Sequence, residues 1–158
     1  NIPEPFLDVS LEHLDTILNL NLRGAYLMAQ AVARGMMERG KGGSIIHMSS
    51  QMGHVGAPNR TAYCASKHAI EGLTKAMGVE LAPHAIRTNS VGPTFVETPL
   101  AAEFLKDPTF AKDVLERIPM GKLGQVEDVA DAVVYLAAPA SKMVTGTSLL
   151  VDGGWTAR

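Results

Sequence analysis

Between positions 10 and 39 the apolar residues Leu11, Leu14, Ile17, Leu18, Leu22, Ala25, Met28, Ala29, Val32 and Met36 recur at the spacing of one helical face. The pattern predicts a long helix, capped by Ser10, with Glu12 and Asp15 near its positive end. Gly40 to Gly43 closes it. The run "SIIHMS", 44–49, is short, with β-branched residues near its start, and predicts a buried strand. "SQMGHVGAPNR" follows as a loop containing glycine and proline. A second long helix is predicted over 61–81, ending before Pro83, and "IRTNSV", 86–91, as another strand. "GPTFVETP" reads as a loop. Asp107-Pro108 opens a short helix that stops before Pro119, with the proline in its first turn. A further helix is predicted over 126–138, with Glu127 and Asp128 at its start. "SLLV", 148–151, is a last strand, followed by a turn at Asp152-Gly153-Gly154.

Strands alternating with long helices predict an α/β fold, a doubly wound parallel sheet covered on both faces. Three strands are few for such a sheet. Residues 1–158 therefore read as a single domain forming part of a doubly wound fold, with its N-terminal strands missing.

Composition narrows the functional classes. Of the 158 residues, 46% are hydrophobic and 19% charged, which suits a soluble globular chain rather than a disordered one. The net charge of −2, with no basic run, gives no reason to expect nucleic acid or an acidic membrane surface as partner. No apolar run reaches membrane-spanning length, and the start carries no signal-peptide pattern. The five histidines are scattered and form no metal-ligand spacing with the single cysteine, so no metal is expected. One cysteine makes no internal disulfide, which fits a reducing, cytoplasmic setting.

Within "TAYCASKHAIEG", Tyr63 and Lys67 are four residues apart, one turn along a single helical face. An ammonium near a phenol favours the phenolate and lowers its pKa, which would make the tyrosine an acid or base at working pH. By itself this spacing is equally that of an ordinary surface helix. Ser49-Ser50 ends the 44–49 strand, and in a parallel sheet the carboxyl ends of the strands line the binding crevice. Tyr63 follows Ser50 by thirteen positions, across a loop able to bring hydroxyl and phenol together. The loop from Gly92 to Pro99 should reach the same edge, stiffened by Pro93 and Pro99. Its free amides and the Thr98 hydroxyl suit a planar amide ligand. Asn21, in "LNLNLRG", is polar within an apolar helix. Such a residue holds a water or bends the helix when buried, and faces solvent otherwise.

In this order, Asn21 in "NLNLRG", Ser50 in "SIIHMSS", Tyr63 and Lys67, "RTNSVGPTFVETP" and "LLVDGGW" resemble the short-chain dehydrogenases/reductases over essentially the whole chain. The resemblance implies a Rossmann-like oxidoreductase that interconverts a secondary alcohol and a ketone with NAD or NADP. It implies Tyr63 as general acid or base, and Lys67 as the group that lowers its pKa and holds the nicotinamide ribose. Ser50 would bind the substrate oxygen, and Asn21 would anchor a water in a proton relay. Pro93, the backbone of Val96 and the Thr98 hydroxyl would hold the nicotinamide carboxamide. Ser50, Met52, Tyr63 and Thr94 would line the substrate pocket, and a homodimer or homotetramer is expected.

Two departures stand out. The family loop usually reads Pro-Gly, and here Thr94 follows Pro93, placing a side chain near the pocket. No glycine-rich diphosphate-binding turn opens the chain, which therefore resembles the C-terminal two-thirds of such an enzyme. The alternative reading is a truncated, non-catalytic oligomerisation module of the same fold. A lyase or epimerase of the extended branch is disfavoured, because the chain ends soon after "DGGW". The residues leave the substrate open between a sugar acid or polyol, suggested by His54, Asn59 and Arg60, and an acyl chain, suggested by Leu100, Phe104, Leu105 and Met120.

Overall fold

A computed structural model describes residues 1–157. The Ser10 hydroxyl accepts from the His13 amide at 3.1 Å and opens α1, Leu11–Leu18. The chain then widens into one π-helical stretch, Asn19–Gly24, before resuming as α2, Ala25–Arg39. The predicted first helix is thus a continuous run whose middle is underwound at Asn21. Gly40, at φ 63°, ends it, its amide donating to the Met36 and Met37 carbonyls. This left-handed geometry is nearly free of strain only for glycine.

β1 (Gly43–Met48), α3 (Thr61–Leu81), β2 (Ile86–Pro93), α5 (Pro108–Arg117), α6 (Val126–Ala137) and β3 (Ser148–Val151) lie close to their predicted positions. The short α4, Pro99–Phe104, was not anticipated. It has too few residues to show periodicity, and its signal is local: Thr98 accepts from the Ala101 amide at 3.1 Å, and Pro99 occupies the first turn.

The three strands pair in parallel in the order β1-β2-β3. The register sorts side chains onto two faces. Ile45 and Ile86 point toward α2 and α3, where Ala33, Met36, Met77 and Leu81 join them. Ile46, Val91, Leu149 and Val151 point toward α6, around Ala132 and the fully buried Leu136. Both faces are covered, as the alternation of elements predicted. α3 comes so close to the turn before β3 that a Cβ on Gly78 would lie 2.6 Å from the Gly146 Cα.

A polar row crosses the α3 side of the sheet. His47, Ser90 and Ser148 are register partners on adjacent strands. The buried Glu71 of α3 meets them: Ser90 donates to its carboxylate at 2.8 Å and Ser148 at 3.4 Å, and His54 Nε2 lies 3.5 Å away. His47 is buried and its Nε2 has no hydrogen-bond partner. Burial lowers its pKa below the ordinary 6.5, against a smaller upward pull from Glu71. The folded chain therefore resists a proton that the unfolded chain accepts. Stability should be steady above about pH 6.5 and fall on acidification toward the lowered folded pKa, by at most about 1.4 kcal/mol per pH unit for one group. Urea unfolding of His47→Phe should show a shallower fall between pH 6.5 and 5. An unchanged slope would assign the acid sensitivity to other groups.

Candidate active site

The carboxyl ends of β1 and β2 carry the candidate residues to one edge. β1 delivers Ser49 and Ser50 directly after Met48, and β2 delivers Pro93 and Thr94. α3 starts at Thr61, so Tyr63 sits in its first turn, facing back over the strand ends. A cavity of about 480 Å³ results, lined by Ser50, Met52, Tyr63, Pro93, Thr94, Val96 and Thr98 together with Met48, Ser49, Gln51, Phe95 and Phe104. All the substrate-side residues expected from sequence thus lie in one place.

The Ser50 hydroxyl donates to Gln51 Oε1 at 2.8 Å and accepts from the Met52 amide at 3.1 Å. Gln51 was not singled out from sequence; its adjacency to Ser50 was the only signal. Burial raises the Tyr63 pKa above the ordinary phenol value. The Ser50 hydroxyl and the Arg60 charge pull the other way, and Cys64 adds to the rise. The net direction is opposite to the lowered phenol pKa that the Tyr63–Lys67 spacing suggested, and Lys67 is not among its causes. The ammonium lies 5.6 Å from the Tyr63 ring centre and is held on the Met48 carbonyl at 2.9 Å. Lys67 itself is pushed below its ordinary pKa by burial, partly offset by Glu71. Glu71 lies four residues beyond Lys67, the same interval that separates Lys67 from Tyr63, and that repeated spacing was the signal for it in the sequence.

Lys67 and Asn21 stand outside the cavity lining. Asn21 Nδ2 donates to Ser66 Oγ at 3.0 Å, and Ser66 Oγ in turn donates to the Tyr63 carbonyl at 2.7 Å. The π-helical stretch is therefore tied to the first turn of α3.

Several polar groups of the lining residues have hydrogen-bonding capacity to spare. The hydroxyls of Ser49 and Thr94 are buried without a partner. Thr98 accepts from Ala101 as a cap, leaving its proton free to donate. Val96 pairs with Gly124, but the bonds of that bridge come from the Phe95 carbonyl and the Glu97 amide. The amide and carbonyl of Val96 itself thus point away from Gly124. Among the described residues no cluster of His, Cys, Asp and Glu side chains suits a metal ion, and no helix is long and apolar enough to cross a membrane.

The parallel α/β sheet gathers Ser50 and Tyr63 at its strand ends, with Lys67 one turn farther along α3. The family profile described as enoyl-(acyl carrier protein) reductase matches residues 2–156. The chain belongs to the short-chain dehydrogenase/reductase family and has its Rossmann-like α/β fold. L-xylulose reductase of Mus musculus is 46% identical over 154 residues, covering 98% of this chain and 63% of that protein. Carbonyl reductase [NADPH] 2 of Sus scrofa is 44% identical with the same coverage. A gluconate 5-dehydrogenase from Burkholderia cenocepacia, solved with NADP and tartrate, superposes with a TM-score of 0.95 at 35% identity, covering 99% of this chain and 61% of that one. The chain thus spans less than two-thirds of the length of these relatives.

Proposed function

We propose that this chain is the catalytic portion, one domain over residues 1–158, of an NAD(P)-dependent oxidoreductase that interconverts a small secondary alcohol and its ketone. The observation that carries this reading is the meeting of the Tyr63 and Ser50 side chains in one cavity at the strand ends. Both offer a hydroxyl to the same space, as a carbonyl oxygen gaining negative charge requires. Ser50 would turn its proton from Gln51 to that oxygen. Tyr63 would release its phenolic proton to the same atom, completing the alcohol. In the reverse direction the phenolate would take the proton back.

The residues present fit the nicotinamide end of the cofactor. The free proton of Thr98 and the outward backbone of Val96 match a carboxamide, which both donates and accepts. Lys67 spends one of its three donors on Met48, leaving two for ribose hydroxyls. The bound cofactor supplies or accepts the hydride. Asn21, tied to Ser66, would hold the first turn of α3 in place and anchor the relay water suggested by the family resemblance. A relative named for NADPH, and a neighbour solved with NADP, support the cofactor class.

The exposed apolar side chains Tyr26, Leu27, Met28, Val32 and Met37 of α2 support a homodimer or homotetramer, and a single cysteine without a disulfide suits the cytoplasm. Sedimentation at micromolar concentration should show more than one copy; a monomer would contradict the assembly. The function is tested by incubating the purified protein with NADH or NADPH and a panel of ketoses and keto acids, following the loss of reduced nicotinamide. No oxidation with any of them would favour a non-catalytic module.

A further inference from the structure

Among the described residues, one charged side chain lines the cavity that holds Tyr63 and Ser50, and it is a cation. Arg60 lies three residues before Tyr63, at the N-cap of α3. Among the described residues no carboxylate lies within ion-pair distance of it. Its one hydrogen bond runs from Nη1 to the neighbouring Asn59 carbonyl at 3.2 Å. The guanidinium stands 6.0 Å from the centre of the Phe104 ring, an arrangement that holds the planar fork in place while leaving its donors free.

The surroundings explain why this cation is unusual. The other arginine near the site, Arg117, is paired with Asp113 at 2.8 Å and lies over Trp155. It lines an adjoining cavity of about 440 Å³, together with Asp107 and Asp113. That second space has its positive charge already answered. Arg60 borders both cavities, but among the described residues no acidic side chain lines the one with Tyr63. A half-buried guanidinium without a counter-charge is costly, and a carboxylate ligand would relieve that cost with two parallel charge-assisted bonds. Burial lowers the Arg60 pKa, against smaller upward pulls from Cys64 and Tyr63.

We propose that Arg60 is the specificity-determining residue of this site: it binds a carboxylate of the substrate while the carbonyl or carbinol carbon lies at Tyr63 and Ser50, which makes the substrate a short oxo or hydroxy carboxylic acid rather than a neutral sugar. This rests on the oxidoreductase reading above. The chemistry is unaltered by it: hydride and proton add across the C=O bond as before, and the carboxylate takes no part beyond binding. The apolar walls, Met52, Phe95 and Phe104, flank the chain between the two ends.

The test compares 5-ketogluconate with L-xylulose, at matched ionic strength, in the wild-type protein and in Arg60→Gln and Arg60→Lys. The wild type should show the higher kcat/KM on the keto acid. Arg60→Gln should raise KM for the keto acid about tenfold or more beyond any change for the ketose, the size of a lost charge-assisted hydrogen bond. Arg60→Lys, which keeps the charge but not the fork, should recover part of the loss. Calorimetric binding of gluconate, which needs no turnover, should weaken in the same order. Equal losses on the two substrates, or a wild-type preference for the ketose, would overturn the assignment while leaving the oxidoreductase reading intact. If neither carbonyl compound is reduced, the oxidoreductase reading fails and gluconate binding decides alone. Binding that Arg60→Gln abolishes supports an anion site, and no binding overturns it.

Discussion

Tyr63→Phe is expected to lower carbonyl turnover by about 10²–10⁴-fold, the usual contribution of a positioned general acid. That corresponds to about 3–5 kcal/mol of barrier. The substitution removes one hydroxyl from a half-buried ring and leaves the ring's packing in place. Nicotinamide affinity, read from fluorescence titration, should change little. A variant keeping a tenth or more of wild-type turnover would remove Tyr63 from the proton transfer. The raised phenol pKa adds a signature. Reduction needs the protonated phenol, so it should persist from neutral into alkaline pH. Oxidation needs the phenolate, so its rate should climb with pH over that range.

Leu136→Ala is expected to cost about 3–5 kcal/mol of folding stability. Leu136 has no exposed surface and sits with Val91 and Ala132 at the centre of the α6 face. Its backbone carbonyl also accepts from Ser44 and Ser141, at 2.9 and 3.0 Å, so α6 is pinned to β1 at this residue and has little freedom to close the gap. Leu136→Met conserves most of the volume and should cost under about 1.5 kcal/mol. Val79→Ala, at a side chain 77% exposed, should stay within about 0.5 kcal/mol. Urea midpoints with an unchanged m-value would report these differences directly. A loss below about 1 kcal/mol for Leu136→Ala would show that the helix relaxes onto the sheet.

The element order and most element boundaries were legible in the chain itself. Helical periodicity from Leu11, the Ser10 cap, the Gly40 stop and the Asp107-Pro108 start are local instructions, written within a few residues of where they act. The gathering of Ser50, Tyr63 and Thr98 at one edge followed from a general property of parallel sheets, that strand ends share a crevice. What the sequence did not contain were quantities set by distant neighbours. Asn21 could have faced water or protein, and its bond to Ser66, forty-five residues on, decided for protein and placed the π-helical stretch beside α3. The Tyr63–Lys67 spacing suggested a depressed phenol pKa. Burial sets the net direction upward instead, because desolvation acts on whichever charge loses water, whatever its position in sequence. Glu71 finds its partners through the sheet register, which sets Ser90 and Ser148 against it. Helix and strand, with their caps and stops, answer to contacts within a turn or two. The ionisation of a buried group, and the partner it finds, answer to the packing of the whole sheet.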